Sequence, residues 1–301
     1  MTKISVVIAV YNRDRDLRRA LQSVIGQSLT DFECIVIDDA STIDIRTIVE
    51  SFGDSRLRYV RREVNGGPSA ARMDGYRAVQ GEYVVQLDSD WEFFPWALER
   101  ACYWLDTRKD VDMACALHLR DEDSLMFVRV RDAPRLITPE QFRHQEPLPD
   151  RISAVRRKVV QQWLELPGDY FALEAHQWIS AELSHNQVAL DEPWVLYHTQ
   201  GADRITVDSS DARAQRAIDD YVTFLRERND LIEGGTCKSV DWVLKSAYLA
   251  LRRAKRPEAG LAAQALERRG IKASRVLARS TAARVAHRLR LQRRPAVSWL
   301  A

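Results

Sequence analysis

Cysteine is scarce in this chain: Cys34, Cys102, Cys115 and Cys237 are widely spaced and form no Cys-x-x-Cys pair. That pattern excludes a zinc ribbon or a disulfide framework and predicts reduced, buried thiols in a cytoplasmic protein. No apolar run approaches the roughly 18–20 residues needed to span a bilayer. The opening MTKISVVIAVYN has one lysine and no signal-type cleavage region, and it runs straight into a strand pattern. No G-x-G-x-x-G follows that strand, which argues against a dinucleotide-dependent Rossmann enzyme. Internal repeats and nucleic-acid-binding motifs are absent too. Nor does one sign of charge dominate, since 45 Lys+Arg face 43 Asp+Glu for a formal net charge of +2.

That total averages two unlike parts. Leu251 to Ala301 holds fourteen basic residues and two acidic ones, Glu258 and Glu267, so the tail is near +12 and the rest near −10. Such asymmetry predicts two functional surfaces. For the tail three readings stand side by side: a solvated helical cap, contact with anionic lipid headgroups at the inner face of a membrane, or docking of an acidic partner.

Ile4–Val10, Phe32–Ile37, Arg56–Val60 and Tyr83–Leu87 are predicted strands, the first two being nearly unbroken apolar runs. Helical spacing separates them over Asp14–Gln27, Asp44–Phe52 and Ser69–Val79, the last entered through Asn65-Gly66-Gly67-Pro68. This alternation predicts an α/β fold with a parallel sheet. Beyond Trp96 the rhythm changes. Strands are expected over Asp112–Leu119 and Leu125–Val130, a loop-rich excursion over Leu136–Pro149, and helices over Lys158–Leu166 and Glu174–Ser184. A strand end follows at Trp194–Tyr197, and beyond Asp208 nearly everything reads as helix.

Ligands of open parallel sheets bind beyond the carboxyl ends of the strands. Three such ends carry polar residues: Tyr11-Asn12, Asp38-Asp39 and Asp88-Ser89-Asp90. Two carboxylates one residue apart can hold Mg²⁺ or Mn²⁺ and share it with substrate phosphates. Asp14/Asp16, Asp110/Asp112 and Asp121/Asp123 have the same spacing, but only Asp88 and Asp90 close an apolar strand. Asp39 can cap the next helix, or leave that to Ser41 and Thr42 and accept a hydrogen bond from a base or ribose. Tyr11 can lay its ring on a planar base. Arg72 can pair with a diphosphate or with Asp39. Trp91-Glu92-Phe93-Phe94-Pro95-Trp96 is unusually aromatic and is either a buried helix entry or a platform for sugar faces.

These motifs resemble those of the inverting family 2 glycosyltransferases. The resemblance runs through SVVIAVYNR at Ser5–Arg13, SVIGQSLTDFECIVIDDAS at Ser23–Ser41 and NGGPSAARMDGYRAVQGEYVVQLDSD at Asn65–Asp90, and more loosely through Val188–Gly201. It implies the GT-A fold: α/β, a Rossmann-like, mostly parallel sheet flanked by helices, here with a helical C-terminal extension. The expected division is a nucleotide-sugar-binding catalytic domain over 1–208 and a helical extension over 209–301, basic after 251.

The resemblance also implies a UDP-sugar donor, with Ala9, Tyr11 and Asp39 around the nucleoside, Arg72 nearby, Asp88 at the ribose or metal, and Asp90 on Mn²⁺ or Mg²⁺. Inversion needs a carboxylate opposite the leaving group to take the acceptor proton. For that base, Gly168–Leu183 offers Glu174, then His176, then Asp169; Ala175 stands where the family's paired Asp would be. That departure keeps open a non-catalytic nucleotide-sugar-binding module. The strand at Trp194–Tyr197 leads into Tyr197-His198-Thr199-Gln200-Gly201, which departs from the family's histidine metal ligand pattern. The acceptor is unspecified, with residues 121–150 and 201–211 expected to form its region.

Overall fold

A computed structural model describes residues 2–120, 134–144, 151–168, 170–171, 173–198, 211–278 and 280. The strands are β1 (Ile4–Val10), β2 (Phe32–Asp38), β3 (Leu57–Arg61), β4 (Tyr83–Gln86), β5 (Trp91–Phe93), β6 (Met113–Arg120), β7 (Arg135–Ile137), β8 (Arg151–Arg156) and β9 (Gln187–Tyr197). The helices are α1 (Arg15–Ile25), α2 (Ile45–Glu50), α3 (Pro68–Ala78), α4 (Ala97–Thr107), α5 (Pro139–His144), α6 (Arg157–Trp163), α7 (Ala175–Glu182), α8 (Asp211–Glu227), α9 (Asn229–Glu233), α10 (Lys238–Arg253) and α11 (Ala259–Arg268). One sheet runs β3-β2-β1-β4-β8-β6-β9-β5, with β7 also paired to β9.

β1 is buried on both faces, which is why its sequence is an apolar run broken only by Ser5. Ile4, Val6, Ile8 and Val10 pack with Leu17, Leu21 and Val24 of α1 and with Ile45 and Val49 of α2. Those α1 positions recur at helical spacing and give that helix its buried stripe. Val7 points the other way, toward Tyr76 of α3 and Val159 and Val160 of α6. Gly75 lets α3 sit close on the sheet, because a Cβ there would overlap Val7.

The α/β expectation holds, but the sheet is parallel throughout only in its first half. β1 pairs in parallel with β2 and β4, and β2 with β3. β8 then enters antiparallel to both β4 and β6, while β6 and β9 run parallel. The β8 segment RISAVR was not expected as a strand, since arginines at both ends mask three buried residues, Ile152, Ala154 and Val155. The stretch expected to be loop-rich contains most of β7 and all of α5. A strand, β5, intervenes between Asp90 and α4, antiparallel to β9 and too short for a periodicity to register. The expected strand Leu125–Val130 lies outside the described residues, as does most of the helix expected after Ile271.

A third core joins the C-terminal helices to the rest of the chain. Val240, Val243, Leu244 and Ala247 of α10 cluster with Phe142 of α5, Ile179 of α7 and Ala189 of β9. No helix among the described residues is long and apolar enough to cross a membrane.

Candidate active site

The chain goes outward from β1 to β2 and β3, then crosses back to place β4 on the other side of β1. The ends of β1 and β4 therefore flank a topological switch point, where a crevice opens in such sheets. Asn12 and Ala40, just past β1 and β2, both take positive φ, +54° and +61°. Such conformations are uncommon outside glycine and persist where surrounding contacts fix them. Asn12 Oδ1 accepts from the Thr42 amide at 2.7 Å, and the Asn12 amide donates to Ser41 Oγ at 2.9 Å. These bonds tie the two strand ends together.

Asp38 is fully buried and accepts from the Ser41 amide, Tyr59 Oη and Arg61. Asp39 does not keep the free carboxylate expected of it. Its Oδ1 accepts from Arg62 at 2.5 Å and from the Gly66 amide at 2.9 Å, and its Oδ2 accepts from the Gly67 amide at 2.7 Å. The side chain thus anchors the turn entering α3; Gly67 has φ +90°, and a Cβ there would overlap Phe171. The helix cap falls to Asp44, which accepts from the Thr47 amide.

At the end of β4, Asp88 Oδ1 accepts from Arg72 Nη2 at 2.5 Å and from Gln86 Nε2 at 3.2 Å. The other end of the same guanidinium, Nη1, pairs with Glu174. Gln86 Nε2 also reaches Glu174 Oε2 at 3.5 Å, and Tyr76 Oη donates to Gln86 Oε1 at 2.8 Å, which fixes the amide's orientation. Asp90 pairs with Arg13 at 2.8 Å. Burial pushes the Asp90 carboxyl above its usual range; the Arg13 charge opposes that shift and the Asp88 charge adds to it. Two neighbouring carboxylates at a strand end, Asp90 being disfavoured in its ionised form, fit a dication. No cluster of three or more His, Cys, Asp or Glu that could hold a metal occurs among the described residues.

Asp88 and Glu174 line one cleft of about 360 Å³, with Trp91, Trp178 and Trp242 in its walls. Burial pushes the carboxyl of Glu182, which lines the same cleft, up to about 8, against opposition from a Gln187 hydrogen bond and the Arg151 charge. His176 does not enter this cleft, contrary to expectation. Its ring stacks on Tyr170 at 3.9 Å, and its Nδ1 lies 2.7 Å from the Leu173 carbonyl. Burial holds that imidazole down to about 4. Asp169 lies outside the described residues. Ala9 packs over Ile35, Ile37 and Ala71 near the end of β1, and Tyr11 is half-buried just past that strand. His198 lies 3.0 Å from Glu92, across the β5–β9 pair.

Sequence reasoning missed Arg13, Gln86 and Glu182. Gln86 had a signal, being the one amide in the apolar run YVVQL next to the acidic pair.

Residues 5–163 match glycosyl transferase family 2. The chain belongs to that family. A Campylobacter jejuni relative, GalNAc(5)-diNAcBac-PP-undecaprenol beta-1,3-glucosyltransferase, is 34% identical over 101 residues, 33% of each chain. The matched stretches span between 13% and 40% of the length of the curated relatives. Among solved structures, S. aureus TarS (residues 1–349) with UDP-GlcNAc aligns at TM-score 0.56 and 18% identity, covering 82% of this chain and 81% of that one. The mannosyltransferase PcManGT from Pyrobaculum calidifontis, with GDP-Man and Mn²⁺, aligns at 0.57 and 21%, covering 94% and 80%. These two likenesses establish the GT-A architecture.

Proposed function

We propose that the chain transfers a glycosyl unit from a nucleoside diphosphate sugar, UDP-linked by the family resemblance, to an acceptor hydroxyl with inversion. The supporting observation is the Asp88–Arg72–Glu174 bridge, which brings the acidic strand end and the candidate base to one guanidinium in one cleft. Glu174 takes the acceptor proton while the acceptor oxygen bonds to the anomeric carbon. The bond from that carbon to the diphosphate breaks, and its electron pair leaves with the diphosphate. Arg72 and Arg13 supply fixed positive charge where the leaving diphosphate gains negative charge. Mn²⁺ or Mg²⁺ held by Asp88 and Asp90 would supply Lewis-acid stabilisation of that same charge.

Ala9 and Tyr11 lie at the end of β1, suited to receive the nucleoside, with Asp39 shaping the turn beside them. Trp91, Trp178 and Trp242 offer flat apolar faces to an acceptor sugar ring. The test is Glu174→Gln assayed for transfer and for UDP binding with Mn²⁺. A positioned base contributes about 10²–10⁴-fold, so turnover should fall by that order with UDP affinity retained. Full turnover in this variant would move the base elsewhere. Failure of the unmodified protein to turn over any donor would favour the non-catalytic module.

A further inference from the structure

The helical extension turns one face of α10 to solvent. The opposite face of that helix buries Val240, Val243, Leu244, Ala247 and Leu251 along one ridge, within the core that includes α5, α7 and α11. Facing away from the ridge are Trp242, Lys245, Leu249, Arg252 and Arg253, within about 100° of one another around the helix axis. Trp242 is 55% exposed, Arg252 and Arg253 are exposed, and Lys245 and Leu249 are half-buried. Lys255, also exposed, follows two residues after the helix ends.

This stripe holds cations and no acid. The one acidic residue of α10, Asp241, stands at its edge and is taken by Arg269 at 2.5 Å. Arg256, Arg268 and Arg269 nearby all have carboxylate partners. Among the described residues, none pairs with Lys245, Arg252, Arg253 or Lys255. Arg252 has a ring contact instead, 5.9 Å over Tyr248. Cations that serve this fold have acids opposite them, and these four do not.

The mixture of side chains selects the partner. Tryptophan, leucine and the stems of basic residues suit the boundary between headgroups and acyl chains, while the charges meet lipid phosphates. The outer face of a single helix is convex and has no pocket to anchor a protein's hot-spot side chain. A charged plane needs no pocket. The stripe also begins at the catalytic cleft: Trp242 is in the cleft wall, and Arg253 lies about 17 Å farther along α10.

We propose that this face of α10 docks the protein on an anionic lipid bilayer, with the rim of the catalytic cleft at the membrane surface. Delivery of an acceptor from the bilayer rests on reading that cleft as the acceptor site; the docking itself does not. The test is cosedimentation of the full chain with vesicles of mixed phosphatidylcholine and phosphatidylglycerol, and with vesicles of phosphatidylcholine alone. The mixed vesicles should bind the chain, the neutral ones should not, and added salt should weaken the binding. Each basic residue at such a surface is worth about fivefold in affinity, so Arg252→Ala/Arg253→Ala should weaken binding at least about tenfold. Lys272→Ala/Arg275→Ala removes the same charge from exposed residues beyond α11 and should cost less than about threefold. Neither pair is used by the fold, so Tm and UDP affinity should match those of the unmodified protein in both variants. Lipid brominated along its chains should quench less fluorescence in Trp242→Phe than in the unmodified protein.

Absence of binding to the mixed vesicles overturns the proposal, even where the same face is found to hold an acidic protein or a second copy of the chain. Equal losses in the two double variants overturn it too, by assigning the attraction to net charge rather than to this face. Neutral vesicles bound as tightly as mixed ones have the same consequence. Vesicle binding needs neither UDP nor turnover, so a chain that binds them without transferring any sugar still supports the docking.

Discussion

Asp220 on α8 holds the segment that leads into the candidate base, and replacing it by Asn tests the link between the helical extension and catalysis. Its carboxylate accepts from the Phe171 amide at 2.6 Å and from the Leu173 amide at 2.9 Å. Glu174 follows at the N-terminal end of α7, one residue beyond that clamp. Asn keeps the shape and one oxygen but turns an NH₂ donor toward one of the two amide donors. The loss is one charge-assisted hydrogen bond at a 4% exposed residue, about 1.5–3 kcal/mol. For a chain of this size that is a Tm lower by roughly 2–5 °C.

The catalytic consequence is larger than the stability loss suggests. A displacement of about 1 Å in a reacting group costs on the order of 10²-fold, so kcat should fall about 10- to 100-fold. Donor KM should barely move, because Tyr11, Arg72 and Asp88 sit on other elements. Asp219→Asn is the matched control: that side chain is half exposed and pairs with Arg256, so both readouts should stay near those of the unmodified protein. Wild-type Tm and kcat in Asp220→Asn would refute the clamp. A lowered Tm with intact kcat would show that Glu174 is positioned without it.

Asp90→Asn should cut metal-dependent transfer at least about 100-fold while circular dichroism shows an unchanged fold; full activity would remove Asp90 from the metal assignment. Trp242, 55% exposed, should act on the acceptor side, so Trp242→Ala raises acceptor KM several-fold and leaves donor KM alone, as initial-rate kinetics would report. Glu182, with its carboxyl raised to about 8, binds a proton in the folded state that it has lost in the unfolded chain above about pH 4.5. Its contribution therefore favours folding at low pH and is lost as pH rises toward 8, with a slope of up to about 1.4 kcal/mol per pH unit. His176, held down to about 4, has the opposite sign, and its contribution is lost as pH falls from 6.5. Between pH 6.5 and 8 only the Glu182 slope should remain, and urea titrations of Glu182→Gln should lack it.

What the sequence made legible follows from burial. β1, β2 and β4 are covered on both faces, so their apolar runs are nearly unbroken and their polar ends stand out. β8 resisted because arginines flank a few inward residues, β7 because it has only three residues, and nothing local says that β8 reverses direction between β4 and β6. The base was ambiguous for a geometric reason. Glu174 and His176 are about 200° apart around a helix axis, so only one can face the cleft, and the packing of α7 decides which. The donors to Asp39, the Gly66 and Gly67 amides and Arg62, were not legible because they reach it only after the chain has folded back from β3.

The split of charge along the chain looks different once folded. Arg256, Arg268 and Arg269 belong to the strongly basic stretch, yet they pair with Asp219, Glu233 and Asp241 from the preceding helices. In this described part those three positive charges are paired within the fold, while Arg252, Arg253, Lys255, Lys272 and Arg275 stay exposed. The same helices supply Asp220, and the buried Arg228 just past α8 donates to Ser180 Oγ and the His176 carbonyl on α7. The C-terminal helices therefore share a core with α5, α7 and β9. The helix bearing Glu174 is gripped from the sheet side by Arg72 and from the extension side by Asp220 and Arg228. A truncation that removes α8 should cost the base its position before it costs the sheet its fold.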